Sequence, residues 1–140
     1  MKKGFEPFRH TADIGLKVRG RTLKEFFENA ARGLFSILTD RKTINPKNAV
    51  IKKIKVKGKD SESLLVNWLN ELIYEAFKDK AVFYRFKADM RQNGALKADI
   101  TGSKLREKDK FLREIKAATY HNLAVKKLKT GYYAEIILDV

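Results

Sequence analysis

Helical periodicity occurs twice in this chain, and both stretches end before Val82. Everything downstream reads as strand or turn. A parallel sheet needs a crossover connection, usually a helix, between successive strands, so a second half without helices argues against a doubly wound fold. The order strands, helix, strand, helix, run of strands predicts the α+β class, with two helices packed on one face of a largely antiparallel or mixed β-sheet.

Each element has a local cause. Ile14, Leu16 and Val18 alternate with Lys17 and Arg19, the period of a strand with one buried face, and Gly20-Arg21 closes it. Thr22-Leu23-Lys24-Glu25 is a capping box, in which hydroxyl and carboxylate would each satisfy a free amide. Leu23, Phe26, Phe27, Ala30, Ala31, Leu34 and Phe35 then form an apolar stripe that must lie on a sheet. The polar stretch 40–48 holds Pro46 and turns the chain into a strand over 50–57. Lys59-Asp60-Ser61 starts the second helix, whose buried side runs from Leu64 and Trp68 to Phe77. On that helix Glu71 and Glu75 share a face near Lys78, with solvent as their expected partner.

Farther on, Val82, Tyr84, Phe86, Ala88 and Met90 alternate with Phe83, Arg85, Lys87 and Asp89. Asn93-Gly94 tolerates positive φ, and Leu96, Ala98 and Ile100 resume the alternation, so a hairpin with a type I′ turn is predicted. The charged stretch from Ser103 to Lys110 lacks periodicity and reads as a mobile loop. Three strands should follow, over 112–120, 123–128 and 132–140.

At 140 residues the chain has the size of one domain, and a single domain over 1–140 is expected. No apolar run approaches the ~20 residues that span a bilayer, and Met1-Lys2-Lys3-Gly4 leads into a strand rather than a signal segment. The expected location is the cytoplasm. Without cysteine there is no disulfide, thiol nucleophile or thiolate metal site, so any metal must be held by oxygen or by the two histidines.

Lys and Arg number 31 against 17 Asp and Glu, a formal charge of +14. Such a field attracts polyanions, RNA or an acidic protein surface among them. Attraction is not recognition. Lys53-Ile54-Lys55-Val56-Lys57 also reads as the wet face of a half-buried strand, where lysines guard an edge against aggregation.

Chemistry is sparse. Phe8-Arg9-His10-Thr11-Ala12-Asp13-Ile14-Gly15 reads as a tight turn between strands that presents the Asp13 carboxylate, and a solvated turn aspartate is its ordinary reading. At the other end, Leu138 facing the core puts Asp139 on the opposite face, beside the α-carboxylate of Val140. If the Asp13 turn is adjacent, three anionic groups converge. Like charges so placed raise each other's pKa unless a cation neutralises them. Oxygen-only ligands select hard cations: Ca²⁺ first, or Mg²⁺ or Mn²⁺.

His10 and His121 are a weak zinc or general-base signal, better suited to supporting the turn and a partner surface through hydrogen bonds. No dinucleotide-type glycine loop, P-loop, His-Glu-x-x-His helix or Gly-x-Ser-x-Gly elbow is present, which argues against an independent enzyme.

The opening stretch, Glu71-Leu72-Ile73-Tyr74, Lys116-Ala117-Ala118-Thr119-Tyr120-His121 and the final Ile137-Leu138-Asp139-Val140 together resemble the archease family, from Phe5 to Val140 in order and spacing. The strongly basic charge is the main departure from that pattern. The resemblance implies a metal bound through Asp13, Asp139 and the Val140 chain end, with Lys116 as a functional lysine that could bind phosphate. It further implies a non-catalytic activator of the RtcB-type RNA ligase of tRNA splicing, one that promotes ligase guanylylation and multiple turnover and alters its nucleotide choice. tRNA would then be met through the ligase. Three rivals stay open: a chaperone or specificity modulator of a tRNA methyltransferase, a basic RNA-binding domain, and a metal-dependent hydrolase using His10 and His121.

Overall fold

The computed structural model describes residues 3–40 and 44–140. In chain order the elements are β1 (Phe5–His10), β2 (Asp13–Gly20), α1 (Leu23–Leu38), β3 (Ala49–Lys57), α2 (Ser61–Asp79), β4 (Ala81–Met90), β5 (Ala95–Lys104), β6 (Ala117–Ala118), β7 (Lys126–Leu128) and β8 (Gly131–Asp139). The α+β class stands, but the strands divide into two sheets rather than one. The first runs β1-β2-β8-β6 with β7 also on β8, the second β3-β5-β4, and every pairing is antiparallel.

The helices join the sheets. α1 packs on β2 of the first and β4 of the second, while α2 packs on β3, β4 and β6. The predicted stripes supply the buried surface: Phe26, Phe27, Leu34, Leu65, Trp68, Leu69 and Leu72 are all fully buried. Trp68 also carries a donor that burial would orphan, and its Nε1 gives that bond to the carbonyl of Phe27, 2.8 Å away on α1. Thr22 caps α1 by accepting from the Glu25 amide at 3.1 Å, but only half of the predicted box is made. The reciprocal box belongs to α2, where Asp60 accepts from the Ser63 amide and the Ser63 hydroxyl accepts from the Asp60 amide.

Several expectations are corrected. A bulge between Phe83 and Arg85 shifts the phase of β4, so Phe83, read as outward, is buried and stacks edge-on against Phe35. The hairpin turn has three residues, not two. Arg91 donates to Ala95 at 2.8 Å around Gln92–Gly94, with positive φ at Asn93 and Gly94, and the Gly58 carbonyl fills the space a Cβ on Gly94 would need. Of the predicted turn over 40–48, residues 41–43 lie outside the described residues; beyond them Asn45 caps the short turn Pro46–Asn48.

Glu75 is not solvated. It is buried and accepts from Lys52 at 2.8 Å, with Lys78 at 3.0 Å. The stretch read as a loop from Ser103 begins inside β5, and its remainder is tied by a backbone bond from Leu105 to Lys80 and an Arg106–Asp109 ion pair at 2.7 Å.

Only the last of the three predicted C-terminal strands keeps its length. The other two shrink to Ala117–Ala118 and Lys126–Leu128 because the helices take the hydrogen bonds a ladder would have used. The Leu112 amide donates to Leu38 at the end of α1, the Ala118 amide to Asn70 and the Val125 amide to Glu62, both on α2.

Candidate metal site where β2, β6 and β8 meet

His10 and Asp13 face each other across the two-residue turn Thr11-Ala12, with Thr11 at φ 44. Ile14 pairs with Leu138, so Asp13, one residue before, and Asp139, one residue after, are the next neighbours on these two strands. Ile14 and Leu138 pack on the core, which leaves the two aspartates to the opposite face. On the other side of β8, Ala117 pairs with Asp139, and the Lys116 amide donates to the Asp139 carbonyl at 2.8 Å. Asp13 and Val140 both line a cavity of about 640 Å³, whose wall also carries Arg9 and Arg113.

The structure thus brings Asp13, Asp139, Val140 and the backbone of Lys116 to one end of the first sheet. The Lys116 side chain is exposed beside buried Ile115, and among the described residues it forms no ion pair. Of the strand predicted over 112–120 only two residues form, and beside Lys116 Ile115 is buried while Ala117 is half-buried.

Whether a cation suits this place depends on its donors. No group of three His, Asp or Glu side chains among the described residues is arranged to hold a metal. The available set is two aspartates in adjacent register and the carboxyl of Val140, all oxygen, a composition that fits a hard cation with water completing its shell.

The histidines sit beside this end without hydrogen-bonding it. His10 and His121 meet ring to ring, centroids 5.6 Å apart in a T-shaped arrangement, and His10 Nδ1 is buried with no hydrogen-bond partner among the described residues. The two rings pack on each other, and the His121 ring also meets the Asn122 side chain within hydrogen-bond distance at 3.4 Å. Both rings line a smaller cavity of about 260 Å³ with Tyr133 and Glu135. Burial first, and the bond the Tyr133 hydroxyl donates to Glu135 at 2.8 Å second, push that phenol up to about 12.

Sequence reasoning missed the α2 side chains that hold the segment after Lys116. Asn70 accepts from the Ala118 amide at 2.7 Å across 48 residues of chain, and Glu62 accepts from Val125 across 63. Their only sequence signal is polarity beside a buried helix face. Arg9, on β1, and Arg113, in the irregular segment before β6, also stand on the cavity wall and were given no role from sequence.

Comparison with known proteins bears on the family and the fold. Residues 5–140 match the model of the archease protein family (MTH1598/TM1083). Protein archease of Methanosarcina barkeri is 39% identical, the match covering 99% of this chain and 97% of that protein. Its counterpart in Saccharolobus solfataricus is 36% identical over 97% of this chain and 98% of its own. Among solved structures, that of Methanobacterium thermoautotrophicum protein 1598 superposes with a TM-score of 0.80 at 32% identity, covering 99% of both chains. The structure of a Thermotoga maritima archease, described as a possible chaperone, gives 0.66 at 26% identity and 96% coverage of both. Sequence and fold agree over nearly the whole length, and the chain belongs to the archease family.

Proposed function

We propose that this protein is a non-catalytic activator of an RtcB-type RNA ligase, acting in tRNA splicing by promoting guanylylation of the ligase, its multiple turnover and its choice of nucleotide. The observation that carries this reading is the register that makes Asp13 and Asp139 neighbours and bonds the Lys116 backbone to Asp139. Asp13, Asp139 and the carboxyl of Val140 would hold a divalent cation, Ca²⁺ or else Mg²⁺ or Mn²⁺. Bound there, it would supply concentrated positive charge for a nucleotide triphosphate or an acidic group of the partner.

The rest of the role belongs to the chain itself. Lys116 offers its exposed ammonium to a phosphate as a point charge. Asn70 holds β6, the short strand that follows it, and the paired β2 and β8 keep the aspartates together while the partner docks. The sequence carries none of the nucleotide-binding or nucleophile motifs sought above, which suits an accessory rather than a catalyst.

The test is ligase guanylylation with stoichiometric wild type and with Asp13→Ala, Lys116→Ala and Asp139→Ala. Loss of stimulation of tenfold or more in each supports the reading. Wild-type stimulation by all three sinks it. That the Thermotoga maritima relative is called a possible chaperone favours a second reading, a chaperone or specificity modulator of a tRNA-modifying enzyme such as a methyltransferase. Affinity capture with the purified protein separates them, according to whether the ligase or the methyltransferase is retained.

A further inference from the structure

The outer face of the second sheet carries a different kind of site. Its register aligns Lys53, Asp99 and Lys87 in one row across the three strands and Lys55, Lys97 and Asp89 in the next, with Lys57 beyond. These positions are exposed, whereas Ile54, Val56, Phe86, Ala88, Leu96, Ala98 and Ile100 between them fill the core. The face borders a broad depression of about 880 Å³.

Its lysine charges are unspent. Asp89 is taken by Arg91 at 3.0 Å, and among the described residues none of Lys53, Lys55, Lys57, Lys87 or Lys97 forms an ion pair. Lys52 shows the contrast within the same strand: it points to the other side and is bound by Glu75 and Asp79.

The face narrows what could cover it. Strands are ~4.8 Å apart and same-face residues ~6.8 Å apart along a strand, so five ammonium groups form a grid reaching over roughly 10 by 14 Å. No aromatic ring stands at an outward position of β3, β5 or β4 beyond its bulge, which removes the stacking platform a single strand needs. Protein interface cores are depleted in lysine and rich in aromatics, the reverse of this composition. A regular polyanion held by its backbone is the remaining fit. We propose that the β3-β5-β4 face binds the phosphate backbone of a base-paired RNA stem, without reading its sequence. The choice of RNA over DNA rests on the RNA-ligase partnership proposed above; the stem geometry rests on the face alone.

The experiment uses the full chain without any ligase. Fluorescence anisotropy of a labelled RNA hairpin is followed from low to physiological salt for wild type, for Lys53→Glu/Lys55→Glu/Lys97→Glu, and for Lys108→Glu/Lys110→Glu/Lys127→Glu, a set of exposed lysines elsewhere with the same change in net charge. Wild type should bind with affinity falling steeply in salt, the face variant should lose at least tenfold and flatten the salt slope by about two to three, and the control set should lose under threefold. Lys53→Gln/Lys55→Gln/Lys97→Gln, with thermal unfolding recorded, repeats the test without introducing repulsion. Equal losses in both Glu sets, no hairpin binding at low salt, preference for an unpaired strand or DNA duplex, or full competition by poly-glutamate would each overturn the proposal. Asp13→Ala should bind the hairpin normally, so this result and the guanylylation result can fail independently.

Discussion

The two exposed ends of this molecule are built on opposite plans. The basic face starts from alternation along β3, where Lys53, Lys55 and Lys57 are neighbours in the chain before they are neighbours in space, and the antiparallel pairing of β5 and β4 adds Lys97 and Lys87 beside them. The acidic end depends on pairing between the second strand and the last, with most of the chain between them, and no local pattern contains it. The first kind of site is robust to the details of packing, because period-2 alternation needs only one buried face. The second exists only if the whole sheet closes in register, since a slip of one residue would turn Asp139 inward.

The sharpest way to break that contrast is through the core both regions share. Trp68 is fully buried and bonds across to α1, so Trp68→Ala should cost about 3–5 kcal/mol of stability in a urea titration and weaken both ligase stimulation and polyanion binding. Loss at only one region would show the two sheets to be separable. A smaller change sharpens the comparison instead. Asn70→Ala strips the Ala118 amide of its acceptor and should cost about 1–3 kcal/mol. It should reduce ligase stimulation while hairpin binding by the second sheet stays unchanged; a drop in both would deny that Asn70 acts locally on β6.

The smallest expected effect concerns Lys52, the one lysine of β3 that is shared between two acids. The hydrogen bonds it gives to Asp79 and then to Glu75 raise its pKa above the ordinary 10.5. Burial alone would lift the Glu75 carboxyl, but Lys52 and Lys78 outweigh it and hold it low, and the Lys52 bond holds Asp79 low as well. Lys52 therefore contributes stability that is complete below pH 10.5 and fades as pH climbs past it. The two acids contribute stability that is complete above the ordinary carboxylate range and fades below about pH 4. Lys52→Met should flatten both limbs of the urea midpoint plotted against pH. Lys53→Met, one residue away and outside any ion pair among the described residues, should leave both limbs as they are.

Much of the fold was legible from residue types. Both helices and their stripes, the Thr22 cap, the strand at Ile14 to Val18, the pairing though not the turn of the central hairpin, and the final strand followed from periodicity and turn chemistry, because each is decided within a few residues. The failures share a cause. Phe83 entered the core because a bulge reset the alternation, the segment after Leu105 became irregular because helix side chains claimed its amides, and Glu75 was buried because Lys52 came to meet it. Asp13, Asp139, Val140 and Lys116 could be named from motif resemblance, but their meeting could not be derived. Arg9, Arg113, Asn70 and Glu62 had no signal strong enough to be given a role.

The amino-acid sequence by itself determined the two helices with their apolar stripes, the strand from Ile14 to Val18, and that lysines line the open side of β3, since each depends on spacing along one stretch of backbone. Only the tertiary structure decided that the strands part into two sheets and that the first turn meets the chain's last residues. Those outcomes depend on contacts between residues far apart in the chain, whose entropic cost is met only by closing the whole core at once.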